Sequence, residues 1–453
     1  MKRLLRSLTP LAAITGLALT AGPAVAQTGL SPAREFSPRQ LLVKFEGQRR
    51  GQRIVLPPGT GVHRAAQALR RNPDVVYAEP DYIASASAVG PLFDPDDSGF
   101  LAPSADSSTT AGDWAFKQWN FLAPGASDGQ LPTSPGGINA VGAWRNLIEW
   151  GRPGASGVVV AVLDSGIAYR SLGSRFRRSP DFGAGQFVPG YDFVDRDRLP
   201  LDESGHGTHV AGTIAEKTDN GTGVTGIAYG AKLMPVRVLD RNGFGNASNI
   251  AKGIRFAVGH GAQVINMSFN FDCGKRVPLV DEALREAYER GVVTVASAGN
   301  IGSEGCVSPP ATGPRVLGVG GTTEGACLGN YSLTGKRIDL VAPGGGVPQS
   351  RCPSVAARPI YQVTLRPAST ETFGIPSYYV GTSMAAAHVS GVAAMVLAIG
   401  VVNPLLEPKE QVRFVAKQLR RTARDLGLPP NQQGAGLVDA AKATSTWPRF
   451  TSP

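Results

Sequence analysis

Six short apolar runs limit what this 453-residue chain can fold into: Val158 to Leu163, Leu233 to Leu239, Gln263 to Ser268, Val292 to Ala296, Val316 to Val319 and Ile338 to Ala342. None alternates apolar with polar residues, so each reads as a strand covered on both faces. Helical spacing separates several of them, over Ile250 to Val258, Leu279 to Arg290 and Glu407 to Leu426. Strands alternating with helices predict an α/β architecture with a mostly parallel central sheet and helices on both faces. Met384 to Ile399 is apolar nearly all round, which predicts a helix buried at the centre rather than a membrane span, for which it is short.

The N-terminal part is built differently. Met1-Lys2-Arg3 with Arg6, an apolar stretch from Leu11 to Thr20 and the small residues Ala24-Val25-Ala26 mark residues 1–26 as a secretory signal peptide. The rest of the chain is therefore expected to be secreted, outside the cytoplasm. Residues 27–84 form a small α/β module, in which Gln40 to Phe45 reads as a strand, His63 to Arg71 as a helix and Val75 to Tyr82 as a returning strand. Residues 85–112 are rich in Ser, Ala, Gly, Asp and Pro and lack apolar periodicity, which describes an exposed linker open to proteolysis. The large α/β domain falls at 113–444, and 445–453 form a tail.

The formal charge of +10 invites a nucleic-acid reading. However, Lys and Arg are spread along the chain, and the nearest approach to a patch, Arg170 with Arg175-Phe176-Arg177-Arg178, reads as a solvated loop. No nucleic-acid partner is expected, no membrane contact after signal removal, and a monomer. The four cysteines are an even number in an exported chain, so two disulfides are expected. Sequence permits three pairings; Cys273–Cys306 with Cys327–Cys352 is favoured because each bridge closes a loop of moderate length. No C-x-x-C knuckle supports zinc.

Three motifs carry the chemistry: Val160-Ala161-Val162-Leu163-Asp164-Ser165-Gly166, Gly205-His206-Gly207-Thr208-His209-Val210-Ala211-Gly212 and Gly381-Thr382-Ser383-Met384-Ala385. They supply a carboxylate, an imidazole and a hydroxyl in the chain order Asp, His, Ser. Asp164 ends a predicted strand, at the sheet edge where open α/β folds collect reactive side chains. His206 opens a predicted helix over Thr208 to Glu216, where a metal pair with His209 is disfavoured because the zincin spacing i, i+4 with an intervening Glu is missing. Ser383 sits at the start of the apolar helix, where free N–H groups favour developing negative charge. Asn300 follows another predicted strand in Ala296-Ser297-Ala298-Gly299-Asn300, and its amide with the Ser383 N–H makes an oxyanion hole. Taken singly, each has a plainer reading: helix caps for Asp164 and Ser383, a packed imidazole for His209 and a turn for Asn300.

Together these motifs resemble the subtilisin-like serine proteases, the subtilases of peptidase family S8. The resemblance covers about residues 40–84 and 113–444, including Gln118-Trp119-Asn120-Phe121 at the start of the domain and an inhibitor-like prosegment ending in Val76-Tyr77-Ala78-Glu79-Pro80-Asp81. It implies a three-layer subtilisin-like fold and a secreted serine endopeptidase made as a self-processing zymogen. Asp164, His206 and Ser383 would be its triad and Asn300 its oxyanion donor. It also implies protein or peptide substrates, with the prosegment as intramolecular inhibitor and folding aid. Extended peptides would then lie along Gly243, Phe244 and Gly245 and along Ser268, Phe269 and Asn270, with Ala298 and Gly299 close by. Asn270 and Phe271 depart from the usual Ser-Leu-Gly-Gly, and Ala387 stands where Pro is common. A structural Ca2+ would be held by Asp181, Asn220, Thr222 and Val224, since Asp219 to Val224 resembles the family's calcium loop and oxygen donors suit this cation. An inactive binding protein of the same fold and a non-proteolytic esterase are the competing readings.

Overall fold

The computed structural model describes residues 36–86, 114–125, 132–218, 220, 223–302, 305–349, 352, 357–399 and 407–445. The expected export signal, most of the linker and tail, and Thr222 lie outside the described residues. The N-terminal module consists of β1 (Phe36–Phe45), β2 (Gln52–Val55), α1 (Val62–Leu69) and β3 (Val75–Ala86). β1 pairs antiparallel with both β2 and β3. Its Leu41 and Val43 close a small core with Leu56, Val62, Ala65, Ala66 and Ala78, while Leu42 joins the far larger apolar cluster of the next domain. That division explains why Leu41-Leu42-Val43 is apolar without alternation: successive strand residues point to opposite faces, and both faces are covered.

The large domain begins with α2 (Trp114–Lys117) and α3 (Ala140–Glu149), followed by β4 (Val159–Asp164), β5 (Tyr191–Asp192), α4 (His206–Ala215), β6 (Lys232–Arg237), β7 (Phe244–Asn246) and α5 (Ala247–Gly259). It continues through β8 (Val264–Met267), β9 (Phe269–Asn270), α6 (Pro278–Glu289), β10 (Val293–Ser297), β11 (Leu317–Thr322) and β12 (Leu340–Pro343). A small hairpin, β13 (Thr364–Leu365) and β14 (Phe373–Gly374), precedes α7 (Thr382–Ala398), α8 (Pro408–Thr422), α9 (Pro430–Gln433) and α10 (Ala440–Ser445). Seven strands form one sheet in the order β12-β11-β10-β8-β4-β6-β5, with every pair parallel. The chain is a three-layer α/β protein.

Register decides where the chemistry gathers. Leu163 lies beside Met267, and Met267 beside Ala296, so the carboxyl ends of β4, β8 and β10 emerge side by side. α7 runs uninterrupted across Ala387 and is buried along nearly its whole length, as its apolar composition requires. α8 ends at Thr422 rather than near Leu426, because Ala423 takes an extended conformation (ψ 147°) and Arg424 bridges to Leu437 instead. Among the described residues, no helix is long and apolar enough to cross a membrane. The structure pairs Cys273 with Cys306 and Cys327 with Cys352, with Cα separations of 6.1 and 6.3 Å.

β3 continues past the module and enters the large domain. Ile83, Ala84 and Ser85 pair antiparallel with Asn246, Gly245 and Phe244 of β7, and Ser85 and Ala86 pair with Asn270 and Phe269 of β9. One strand thus fills a slot between two short edges.

Candidate active site

Asp164 leaves β4 fully buried, and its Oδ1 accepts both the Ser165 N–H and His206 Nδ1–H, each at 2.7 Å. His206 is the first residue of α4. Gly205 before it adopts φ +91°, a left-handed conformation that glycine takes without strain, and this turns the chain so that the ring meets Asp164. Gly207 is required by a close approach: a Cβ there would sit 2.1 Å from the Gly166 carbonyl oxygen. Burial opposes a charge on His206, but the Asp164 carboxylate, through its charge and its hydrogen bond, and then Asp202 outweigh it, so the imidazole is held above its usual range. Its Nε2 has no hydrogen-bond partner among the described residues. Nδ1 is therefore the donor and Nε2 the nitrogen able to accept a proton.

Ser383, the second residue of α7, reaches the same edge. Its hydroxyl donates to the Ser268 carbonyl at 3.1 Å, and the Ser268 hydroxyl donates back to the Ser383 carbonyl at 2.9 Å. This reciprocal pair extends inward through Asn266 Nδ2 to Ser268 Oγ and through Ser390 Oγ to Asn266 Oδ1, each at 2.9 Å. No sequence motif signals that chain, because Asn266 and Ser390 are single polar residues inside apolar runs.

Asn300 follows β10, and its Oδ1 accepts from the Thr382 N–H at 2.9 Å and the Thr382 hydroxyl at 2.8 Å. A backbone N–H can only donate, so this pairing fixes which end of the amide is oxygen, and the other end is the N–H donor. The Thr382 hydroxyl also accepts the Gly299 N–H at 3.1 Å, tying the exit of β10 to the start of α7. Thr382 is a residue that sequence reading passed over beside its neighbour Ser383.

His209 and His388 are packed and neutral. His209 donates from Nε2 to the Ile360 carbonyl at 3.0 Å and stacks on Tyr379; burial pushes it down to about 3. His388 donates from Nδ1 to the Met384 carbonyl and accepts Asn120 Nδ2–H on Nε2; burial lowers it to about 4.

The proposed peptide-contact residues divide between backbone and side-chain roles. Phe244, Gly245, Phe269 and Asn270 present backbone to β3, while Gly243 shapes the turn before β7 with φ +79°. Ser268 offers the carbonyl that the Ser383 hydroxyl meets. The ring of Phe269 is fully buried in the apolar cluster that also holds Ala298. The Asn270 side chain likewise turns inward, donating from Nδ2 to the Ser297 carbonyl at 2.6 Å. A polar side chain on a buried strand is drawn to a carbonyl that can accept from it.

Near the proposed calcium loop, Asp181 accepts Asn220 Nδ2–H at 2.7 Å and the Val224 N–H at 2.9 Å, and burial raises it to about 7. Glu216, which sequence reading did not single out, lies fully buried within reach of the Asp181 charge. Its Oε1 has no partner, and burial raises it well above the carboxylate range. Among the described residues no three His, Cys, Asp or Glu side chains gather as metal ligands, so any cation here also needs main-chain or amide oxygens.

The profile of the Subtilase family, Peptidase_S8, matches residues 155–436, more than half of the chain. The chain belongs to the subtilase family. A thermophilic serine proteinase of Bacillus sp. (strain AK1) is 32% identical over 361 residues, spanning 80% of this chain and 72% of that protein. Subtilisin Savinase of Lederbergia lenta is 37% identical over 290 residues, 64% of this subtilase and 91% of its relative. Among solved structures, a protease from Pseudoalteromonas arctica superposes with a TM-score of 0.58 at 31% identity, covering 74% of this chain and 98% of the other. With the extracellular protease of Xanthomonas campestris the overlap is 52% of that protein's length.

Proposed function

We propose that this subtilase is a secreted serine endopeptidase made as a zymogen, with Asp164, His206 and Ser383 as its triad. The supporting observation is the Asp164–His206 hydrogen bond of 2.7 Å on the sheet edge that also carries Ser383 and Asn300. The Ser383 hydroxyl leaves the Ser268 carbonyl, gives its proton to His206 Nε2 and attacks the peptide carbonyl carbon. Asn300 Nδ2–H and the Ser383 N–H donate to the resulting oxyanion. The C–N bond then breaks, His206 returns the proton to the leaving amine, and water releases the acyl group by the same steps. Substrates take the place of β3, whose antiparallel pairing supplies affinity through backbone alone. Before that the module itself occupies the slot, so the chain leading out of β3 is the enzyme's first substrate.

Ca2+ fits the second cluster. The unpartnered Glu216 oxygen and the neighbouring Asp181 are two buried acids close together, an arrangement that a hard ion would satisfy. Asp181, Asn220 with its amide turned, and carbonyls of Thr222 and Val224 would hold it. Its contribution would be to stability: chelator should lower the melting temperature, and calcium but not magnesium should restore it.

The decisive experiment is to express Ser383→Ala and His206→Ala in a host free of other extracellular proteases and measure intact mass. Both should keep the module and linker attached and lose about 10⁴-fold or more in kcat. Asn300→Ala should lose about 10²–10³, a magnitude established in a subtilisin and carried over here. Normally processed enzyme from Ser383→Ala would overturn self-processing. Turnover of small esters but not peptide amides, normalised by phosphonate titration, would make the protein an esterase.

A further inference from the structure

Asp202 lies in the loop before α4, 1% exposed, in a stretch of sequence with no motif of its own. Its Oδ1 accepts the Ser165 hydroxyl at 2.9 Å and the N–H groups of Ser204 at 2.8 Å and Gly205 at 3.0 Å. Its Oδ2 accepts both the N–H of Thr208 at 2.9 Å and its hydroxyl at 2.6 Å. The bonded groups pass the constraint on: Ser165 Oγ accepts the Gly207 N–H at 3.0 Å, and Thr208 Oγ1 accepts the Ala168 N–H at 3.0 Å. Gly166 completes the junction, since at φ +106° a Cβ would come within 2.7 Å of the Leu201 carbonyl.

One carboxylate therefore binds the residue after Asp164 and the residues on both sides of His206. The two partners of the catalytic hydrogen bond come from different elements, β4 and α4, and Asp202 is the side chain that ties both elements to one point. A simple helix cap would need only the bonds to the first turn; the bond to Ser165 across to the strand exit is the additional one. We infer that Asp202 is a positioning residue that holds the Asp164 and His206 side chains in register, and that its negative charge supports the imidazolium formed during the reaction. This rests on the proposed triad. The charged and titratable groups facing His206 are Asp164 from β4, Asp202 from the preceding loop, His209 from its own helix and Tyr379 from the segment before α7. Asp202 and Asp164 are the two acids among them.

The test uses mature enzyme, obtained where necessary by adding a trace of wild type to the full chain, with active sites counted by fluorophosphonate. Asp202→Asn should lower kcat on a peptide amide ten- to hundred-fold, as displaced reacting groups and lost outer partners do. KM should stay within about twofold, and the acidic limb of the kcat/KM profile should move to lower pH because His206 loses a stabilising charge. Asp202→Glu should return that limb to its place without restoring kcat, since charge is kept and reach is not. Ser165→Ala, which removes the strand-side bond to Asp202 and with it the link onward to the Gly207 N–H, should lower kcat severalfold with the limb unmoved. The inference is overturned if Asp202→Asn keeps kcat per titrated site within twofold, if Asp202→Glu restores kcat fully, or if Ser165→Ala turns over like wild type; the last also decides the matter should Asp202→Asn not fold. Activity surviving in His206→Ala would instead remove the triad itself.

Discussion

The two sheets of this subtilase are held together in different ways. The seven-stranded sheet is parallel and covered by helices on both faces, so its strands are fixed by side-chain burial in two large apolar clusters. The other sheet joins β2, β1 and β3 of the module to β7 and β9 of the large domain, strands of three and two residues. Its own core is seven small and medium side chains, and where it meets the large domain it relies on backbone pairing, on Leu42, Tyr77 and Tyr82, and on a few charges. A unit of that size depends on its partner surface for stability. On the proposed zymogen reading, the first sheet would be permanent and the second would come apart.

The charges at that joint provide the largest test of the contrast. Glu79 is buried with Oε1 unpartnered; burial, opposed by Arg70 and reinforced by Asp281 and Asp81, raises it to about 9. Asp81 accepts the Ser248 N–H at the start of α5, yet burial still raises it to about 6. Both return to the usual carboxylate range, near 4, when the module leaves. Docking therefore takes up protons, and affinity is greatest below that range and lost as pH rises toward the docked values. Between pH 6 and 9 one proton governs, so inhibition by the separately added module should weaken by roughly tenfold per pH unit, about 10³ in all. Glu79→Gln should flatten that slope; a wild-type inhibition constant independent of pH would contradict it.

Equal deletions in the two sheets should separate their roles. Ile265→Ala in β8 and Leu41→Ala in β1 each remove a fully buried aliphatic side chain, at a cost of about 2–5 kcal/mol. Ile265→Ala should lower the melting temperature of mature enzyme by several degrees. Leu41→Ala should leave that temperature unchanged and raise the module's inhibition constant at least thirtyfold. An equal fall in mature stability from both would mean that the module is never released. The smallest effect belongs to Lys44→Ala, which breaks a partly exposed pair with Glu282 at 2.9 Å and should weaken inhibition by no more than about fivefold.

What sequence disclosed follows the same division. β4, β6, β8, β10, β11 and β12 were legible because burial on both faces demands continuous apolar runs. β5, two residues long, and β2, half-buried at an edge, carry no such demand. α3 had a readable spacing in Ala140, Ala143 and Leu147 and an Asn139 cap, but both lie in a stretch that reads as connection. At the site, Asp164, His206, Ser383 and Asn300 stand in glycine-flanked motifs, because close approach and unusual backbone conformations require glycine there. Asp202 and Glu216 have no such flank, and Thr382 shares its glycine with the more conspicuous Ser383; their roles come from tertiary proximity, which spacing along a chain does not encode. The inward turn of Asn270 was invisible for a related reason, since the Ser297 carbonyl that attracts it belongs to a different strand.

A slot bounded on two sides by strand edges has a consequence for what the enzyme can cut. As the proposed substrate site it would accept a chain only in extended form, because the partners it offers are spaced for β pairing, and a helix satisfies its own N–H and C=O groups internally and has none to give. A folded target must therefore open over several residues before it enters, so the rate of cleavage at a given bond would follow the free energy of local unfolding in the target more closely than the identity of its side chains. Compact, rigid proteins would pass such an enzyme untouched, while frayed termini and loosened loops of damaged ones would be consumed.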